Sequence, residues 1–222
     1  MVGIWRFGVR YKFLLALIIG YMFINGATKS YAGGWLIYSK PEFKGKVIDA
    51  ETKEPIEGAV VVAVYSKQAI RIAPESVGIT INVKETLTDK NGNFHIPSYT
   101  TIIDPFSWSK EVTLIIFKPS YGSFPHGRVY PPKGMETRYE EFFSGEIGEV
   151  KEVWITEPWK VGADHKKEKV TFGIVELPQL KTREERLKAK NSADIFGADF
   201  STKELPLLYK AISEENKNLV IQ

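Results

Sequence analysis

Gly45 to Tyr65 constrains this chain more than any other stretch. It reads Gly-Lys-Val-Ile-Asp-Ala-Glu-Thr-Lys-Glu-Pro-Ile-Glu-Gly-Ala-Val-Val-Val-Ala-Val-Tyr, two apolar runs around a polar turn. Asp49 and Thr52 can bond nearby backbone amides, and Pro55 fixes one φ angle on the way out of the turn. From Ala59 to Val64 the chain is unbroken apolar and mostly β-branched, the pattern of a strand covered on both faces. A hairpin of this kind predicts a small all-β domain with the rest of the chain built onto it.

The neighbouring segments extend that reading. A first strand covers about Phe43 to Ala50, preceded by a short lead-in from Gly33 to Pro41 whose Trp35, Ile37 and Tyr38 can cover one end of the core. Ser66 to Gly78 reads as a loop or irregular edge. Ile79, Ile81, Val83 and Leu87 then alternate with polar residues, as in a half-buried strand. Glu85 interrupts the apolar face, which a sheet edge or a bulge accommodates. Thr88-Asp89-Lys90-Asn91-Gly92-Asn93-Phe94 is a hairpin turn, with Gly92 in the left-handed position. A calcium loop needs glycine at its sixth position and glutamate at its twelfth. Counting from Asp89, Gly92 is fourth and Thr100 is twelfth, so the turn reading holds. Val112 to Lys118, Val150 to Ile155 and Val170 to Leu177 are further strands, the last two separated by a polar turn from Gly162 to Lys169. Between them, Ser123 to Ile147 forms a long connection rich in aromatics: Phe124, Tyr130, Tyr139, Phe142 and Phe143.

Composition sets the class of partner. Hydrophobic content of 43% with 26% charged residues suits a globular chain of 222 residues, not one disordered throughout. The net charge is +3, but Arg6, Arg10, Lys12 and Lys29 lie in residues 1–32, where there is no acid, leaving −1 for the remainder. A nearly neutral body argues against a general nucleic-acid surface. Without cysteine there is no disulfide, thiolate zinc site, thiol nucleophile or bacterial lipid anchor.

Residues 1–32 have the three parts of an export signal. Arg6, Arg10 and Lys12 form the positive start, and Phe13 to Ile24 supply twelve mostly apolar residues. Ser30-Tyr31-Ala32 offers a cleavage site after Ala32, with Ala27 as a second position. Twelve residues make about 18 Å of helix, short of the roughly 30 Å hydrocarbon core. The segment is therefore expected to be a signal peptide, with an uncleaved signal anchor as the alternative, and the rest of the chain is expected outside the cytoplasm, periplasmic or extracellular.

Beyond Leu177 the pattern turns helical. Thr182-Arg-Glu-Glu185 is a capping box opening a helix with only Leu187 and Ala189 apolar, so that helix is expected to be solvated. Asn191 to Phe200 reads as a linker. Ser201-Thr-Lys-Glu204 can cap a second helix, whose Leu205, Leu208, Ala211 and Ile212 recur at helical spacing. That stripe either docks onto the β-domain or serves as a partner-binding arm.

In order, Gly45-x-Val47-x-Asp49, Thr52, Pro55-Ile56, Gly58-Ala59-x-Val61 and Thr88-Asp89-x-x-Gly92-x-Phe94 resemble the carboxypeptidase regulatory-like domain, a family sharing the transthyretin-like (prealbumin-like) sandwich. The match spans Phe43 to Gly122, about a third of the chain, and the strands to Leu177 complete it. The resemblance implies a mainly β, Greek-key sandwich of about seven strands over residues 33–178, here with an N-terminal signal helix and two short helices in a 179–222 extension. It also implies an accessory module contributing no catalytic residues. Two enzyme families on related sandwiches do not fit. Intradiol dioxygenases need a His-x-His pair, and hydroxyisourate hydrolases end in Tyr-Arg-Gly-Ser, whereas this chain has no such pair and ends Asn218-Leu219-Val220-Ile221-Gln222.

His95, His126 and His165 are too far apart in sequence to form a metal motif, and no phosphate loop, dinucleotide fingerprint or nucleophile elbow occurs. No cofactor or metal is expected. The leading expectation is an exported, non-catalytic module that contacts a protein or glycan at the cell envelope. Trp108, Tyr121, His126, Arg128 and Tyr130 are the candidate binding residues, through exposed rings in and near the long connection. The alternatives are an envelope enzyme built around Tyr121, His126 and Arg128, and a scaffold tethered to the membrane by its N-terminal segment, the one membrane contact expected.

Overall fold

The computed structural model describes residues 36–69, 77–125, 138–155, 166–195 and 203–221. Residues 1–32, Trp35 and the candidates His126, Arg128 and Tyr130 lie outside the described residues, as does His165. Among the described residues no helix is long and apolar enough to cross a membrane.

The chain is mainly β, with eleven strands among the described residues where about seven are expected: β1 (Ile37–Lys40), β2 (Phe43–Asp49), β3 (Val60–Ala69), β4 (Val77–Leu87), β5 (Asn93–Ile96), β6 (Tyr99–Ile102), β7 (Ser107–Ser109), β8 (Thr113–Phe117), β9 (Val150–Ile155), β10 (Lys166–Thr171) and β11 (Ile174–Leu177). Among the described residues three helices join them: α1 (Tyr139–Ser144), α2 (Arg183–Ile195) and α3 (Pro206–Ile221). Boundaries move where tertiary pairing extends a strand past its apolar pattern. β3 continues through Ser66 to Ala69 because β4 and β7 supply ladder partners there, so the loop expected from Ser66 to Gly78 is much shorter. β10 likewise begins at Lys166, inside the expected Gly162–Lys169 turn, paired antiparallel with β9. The expected lead-in contains β1, which pairs with β6.

β2 sits between β11, to which it is parallel, and β5, to which it is antiparallel. β3 pairs with β4 along one side and with β8 and then β7 along the other. Both faces of β3 and β8 are covered, as the apolar run predicts. Val61, Ala63, Tyr65, Leu114 and Ile116 join the larger core, with Phe43, Val47, Phe94, Val175 and Leu177. Val60, Val62, Val64, Ile115 and Phe117 point into a second core. Tyr38, Tyr65 and Tyr99 meet ring to ring in the first core, with centroids 4.7 to 6.4 Å apart. Burial raises the phenols of Tyr38 and Tyr65, the latter to about 12.

The second core is completed by the C-terminal helices. Leu205, Leu208, Ala211 and Ile212 pack there with Ala193, so the stripe docks on the β-domain. α2 is not the solvated helix that its sequence suggests: Arg186, Ala189 and Ala193 are buried. Arg186 makes a two-pronged ion pair to Glu215 of α3, Nε to Oε1 at 2.8 Å and Nη2 to Oε2 at 2.9 Å. α2 also runs on to Ile195, into the expected linker. Its capping box forms as predicted, Glu185 N donating to Thr182 Oγ1 and Thr182 N to Glu185 Oε2.

The cap of α3 comes from elsewhere. The helix starts at Pro206, and the backbone amides of Leu207 and Leu208 donate to the two carboxylate oxygens of Glu85 at 2.6 and 3.0 Å. The acid that seemed to mark an edge or bulge in β4 is therefore the helix cap, a placement that also favours the helix dipole.

Candidate functional site

The turn after β2 builds one wall of the site. Asp49 Oδ1 accepts the amides of Glu51 at 2.7 Å and Thr52 at 2.9 Å, and Thr52 Oγ1 accepts the amide of Glu54. Lys53 takes φ +61 to close the loop, its amide donating to Asp49 O. These amides, Thr52 foremost, hold the Asp49 carboxyl below its ordinary pKa, and the nearby Tyr121 hydroxyl adds to the effect. Burial, then the charge of Asp49, raises the Tyr121 phenol.

Tyr121 reaches this position through a tight turn. Its amide donates to Lys118 O, and Ser120 adopts φ +70. The Ser120 amide in turn donates to Glu215 Oε2 at 3.1 Å, so the ion-paired carboxylate of α3 also anchors the turn carrying Tyr121. Gly122 N donates to Pro178 O and Leu180 N to Ser120 O, stitching the segment to the chain leaving β11.

Two clefts meet beside this stitch at Gln179. The smaller, about 370 Å³, lies between Asp49, Thr52, Lys118 and Tyr121. The larger, about 700 Å³, runs between Ser123, the Pro178–Thr182 segment and the outer face of α2 at Glu185, Lys188 and Ser192. Its apolar surface comes from Pro178, Leu180 and Ala189, and amide, hydroxyl and charged groups surround it. Ser123 Oγ is buried and makes no hydrogen bond. Such a cleft suits an extended polar ligand that presents both hydroxyl or amide groups and an apolar edge.

Of the five candidates from sequence, Tyr121 and Trp108 are described. Tyr121 lines the smaller cleft together with Asp49. Trp108 is exposed on β7 and lines neither cleft. The expectation of exposed rings in the long connection fails for Phe124, Phe142 and Phe143, which are buried, and Tyr139 is partly buried against the main core. Phe124 bridges back to Ile116, and α1 lays Phe142 and Phe143 into the core, with rings of Phe124 and Phe143 edge to face at 5.7 Å. Lys40 and Glu140, 2.6 Å apart, and the Val112 amide donating to Glu140 Oε1 fasten that helix. His95 faces outward as predicted, its Nε2 3.1 Å from Glu42.

Sequence reasoning missed Gln179, Leu180 and the outer face of α2. No local signal marks them, because Tyr121 and Gln179 meet only through an isolated bridge between distant segments. Among the described residues no group of three acids or histidines could hold a metal ion. No family model, curated protein or solved structure matches the chain.

Proposed function

We propose that this chain is an exported β-sandwich module that works at the cell envelope by surface contact, holding an extended glycan or protein segment without reacting with it. The observation that carries the reading is the 700 Å³ cleft, whose apolar floor and polar rim match a flexible polymer with hydroxyl or amide groups. Export rests on the cationic start, apolar run and small residues of positions 1–32, together with the absence of cysteine.

The β-body is a variant of the carboxypeptidase regulatory-like, transthyretin-like sandwich in this reading. What supports it is that the motif residues have structural reasons to be where they are. A Cβ on Gly45 would meet Gly173 O at 2.7 Å and the Phe94 ring at 2.8 Å, while Gly58 and Gly92 have φ +69 and +75. Thr88 Oγ1 donates to Ile56 O and accepts the Ala59 amide, which locks the two motif halves together.

Calorimetric titration with envelope-type oligosaccharides and unstructured peptides tests the binding reading. Wild type should bind one class saturably, and Lys188→Trp, at an exposed position lining the cleft, should weaken it at least tenfold while melting normally. Absent binding from both classes, or equal binding by the variant, overturns it. Mass spectrometry of the chain recovered from its cell tests export separately: recovery of the intact chain from the cytosol defeats that part.

A further inference from the structure

A further cleft, of about 320 Å³, shares no lining residue with the two that meet at Gln179. Three segments far apart in sequence enclose it: the end of β1 with Lys40, the β7–β8 connection with Lys110 and Glu111, and the start of α1 with Arg138 and Glu140. Its volume is at the small end of the roughly 300–1,000 Å³ of ligand sites, a size for one small molecule instead of a polymer. Among the described residues its apolar side chains are Ile37 and Pro41, and the rest of the lining is charged or carries a hydroxyl.

Backbone bonds hold the acids of this cleft in place. Glu140 Oε1 accepts the Lys40 ammonium at 2.6 Å and the Val112 amide at 2.5 Å, and Glu111 Oε1 accepts the Tyr139 amide at 3.0 Å. Among the described residues the Oε2 atom of Glu111 accepts no hydrogen bond. Lys40 is only 8% exposed, and a buried ammonium has three donors to satisfy. Glu140 takes one of them, and the remaining contact is the Tyr38 ring, 5.5 Å from Nζ. Arg138 has a carboxylate only at 3.9 Å, on Glu141, and Lys110 has none among the described residues. Unfilled donors and an unfilled acceptor therefore line one small cleft, at positions fixed before anything binds. A ligand with a single charge leaves one set unmatched. A carboxylate and an ammonium on the same small molecule match both.

We propose that this cleft binds a free amino acid as its zwitterion, the carboxylate against Lys40 and Arg138 and the ammonium against Glu111. The hydroxyls of Ser109 and Ser144 in the lining favour a small or polar side chain. The site is independent of the binding proposed for the 700 Å³ cleft, with which it shares no residue.

Calorimetric titration of the full chain with the common amino acids, one at a time, tests this. At least one with a small or polar side chain should bind saturably. Its N-acetyl form, which lacks the ammonium, and its amide, which lacks the carboxylate, should each bind about tenfold more weakly or worse. Lys40→Met should abolish binding. Because Lys40 is buried, two variants at less buried positions keep the test sound if that one misfolds. Arg138→Gln removes a carboxylate partner, and Glu111→Gln removes the charge while its side-chain oxygen still accepts the Tyr139 amide. Each should weaken binding about tenfold while melting as wild type does. If no amino acid binds, or if both of these variants bind as tightly as wild type, the proposal is overturned. Equal binding of the N-acetyl form would make the cleft a plain anion site, and equal binding of the amide a plain cation site; either result also overturns it.

Discussion

A methyl group added at Gly92 would meet two separate obstacles, the left-handed φ of +75 and Val47 O at 2.4 Å. At Gly58 the φ is similar, +69, but the nearest atom is the flexible end of Lys118 at 3.2 Å. The backbone term alone costs about 1–2 kcal/mol, and a contact with a carbonyl that cannot move adds to it. Gly58→Ala should therefore cost about 1 kcal/mol and Gly92→Ala about 3 kcal/mol or more in urea unfolding. Equal losses would show that the Val47 carbonyl yields easily. Asp49 offers a second residue-scale test. Its folded pKa is depressed by the Thr52 and Glu51 amides. The stabilisation is therefore complete above the unfolded value, about pH 4, and is lost as pH falls through the depressed one. Asp49→Asn should lose about 1–2 kcal/mol at neutral pH, and the gap from wild type should close as pH falls through the depressed pKa. A gap independent of pH would assign the loss to packing instead of charge.

At the scale of elements, the sequence was most legible where bonding is local. The Asp49 and Asp89 turns and the capping box of α2 form from residues within a few positions of one another, and β3 declares its two covered faces by an unbroken apolar run even though its partners are distant. It was least legible where a side chain acts across the chain. Glu85 stands out in its strand as an acid on an apolar face, yet its partners are the amides of Leu207 and Leu208. Arg186 looked solvated because its partner Glu215 lies in another helix. The aromatic connection misled for the same reason, since α1 and the Phe124 bridge turn its rings inward. The clefts at Gln179 were invisible because both walls come from segments joined only by long-range bridges. Glu85→Ala should cost about 1–2 kcal/mol as a lost cap. Glu85→Gln should cost less, since one oxygen still accepts. If the two variants unfold alike, the charge on the helix dipole is the larger contribution.

Across the whole molecule, the two cores share β3 and β8. Val60, Val62 and Val64 alternate along one strand with Val61, Ala63 and Tyr65, so neither core can disassemble without exposing a face of the same strands. Glu215 adds a polar tie, holding Arg186 of α2 and the Ser120 amide of the Tyr121 turn at once. Unfolding should therefore be a single transition in which helix and sandwich report together. Leu208→Ala, wholly within the second core, should cost about 2–5 kcal/mol. It should lower the far-ultraviolet helix signal and the near-ultraviolet signal of the buried tyrosines to the same midpoint. Glu215→Gln leaves a buried guanidinium without its charge partner, for which about 3–5 kcal/mol is the expected scale, again in one transition. An early melt of the helices, with the tyrosine signal intact, would show that the second core is a detachable layer. In that case the cleft beside α2 would open before the sandwich does, and binding at the cleft would protect the helices alone. With shared strands, a ligand in the cleft should instead raise the melting point of both signals equally.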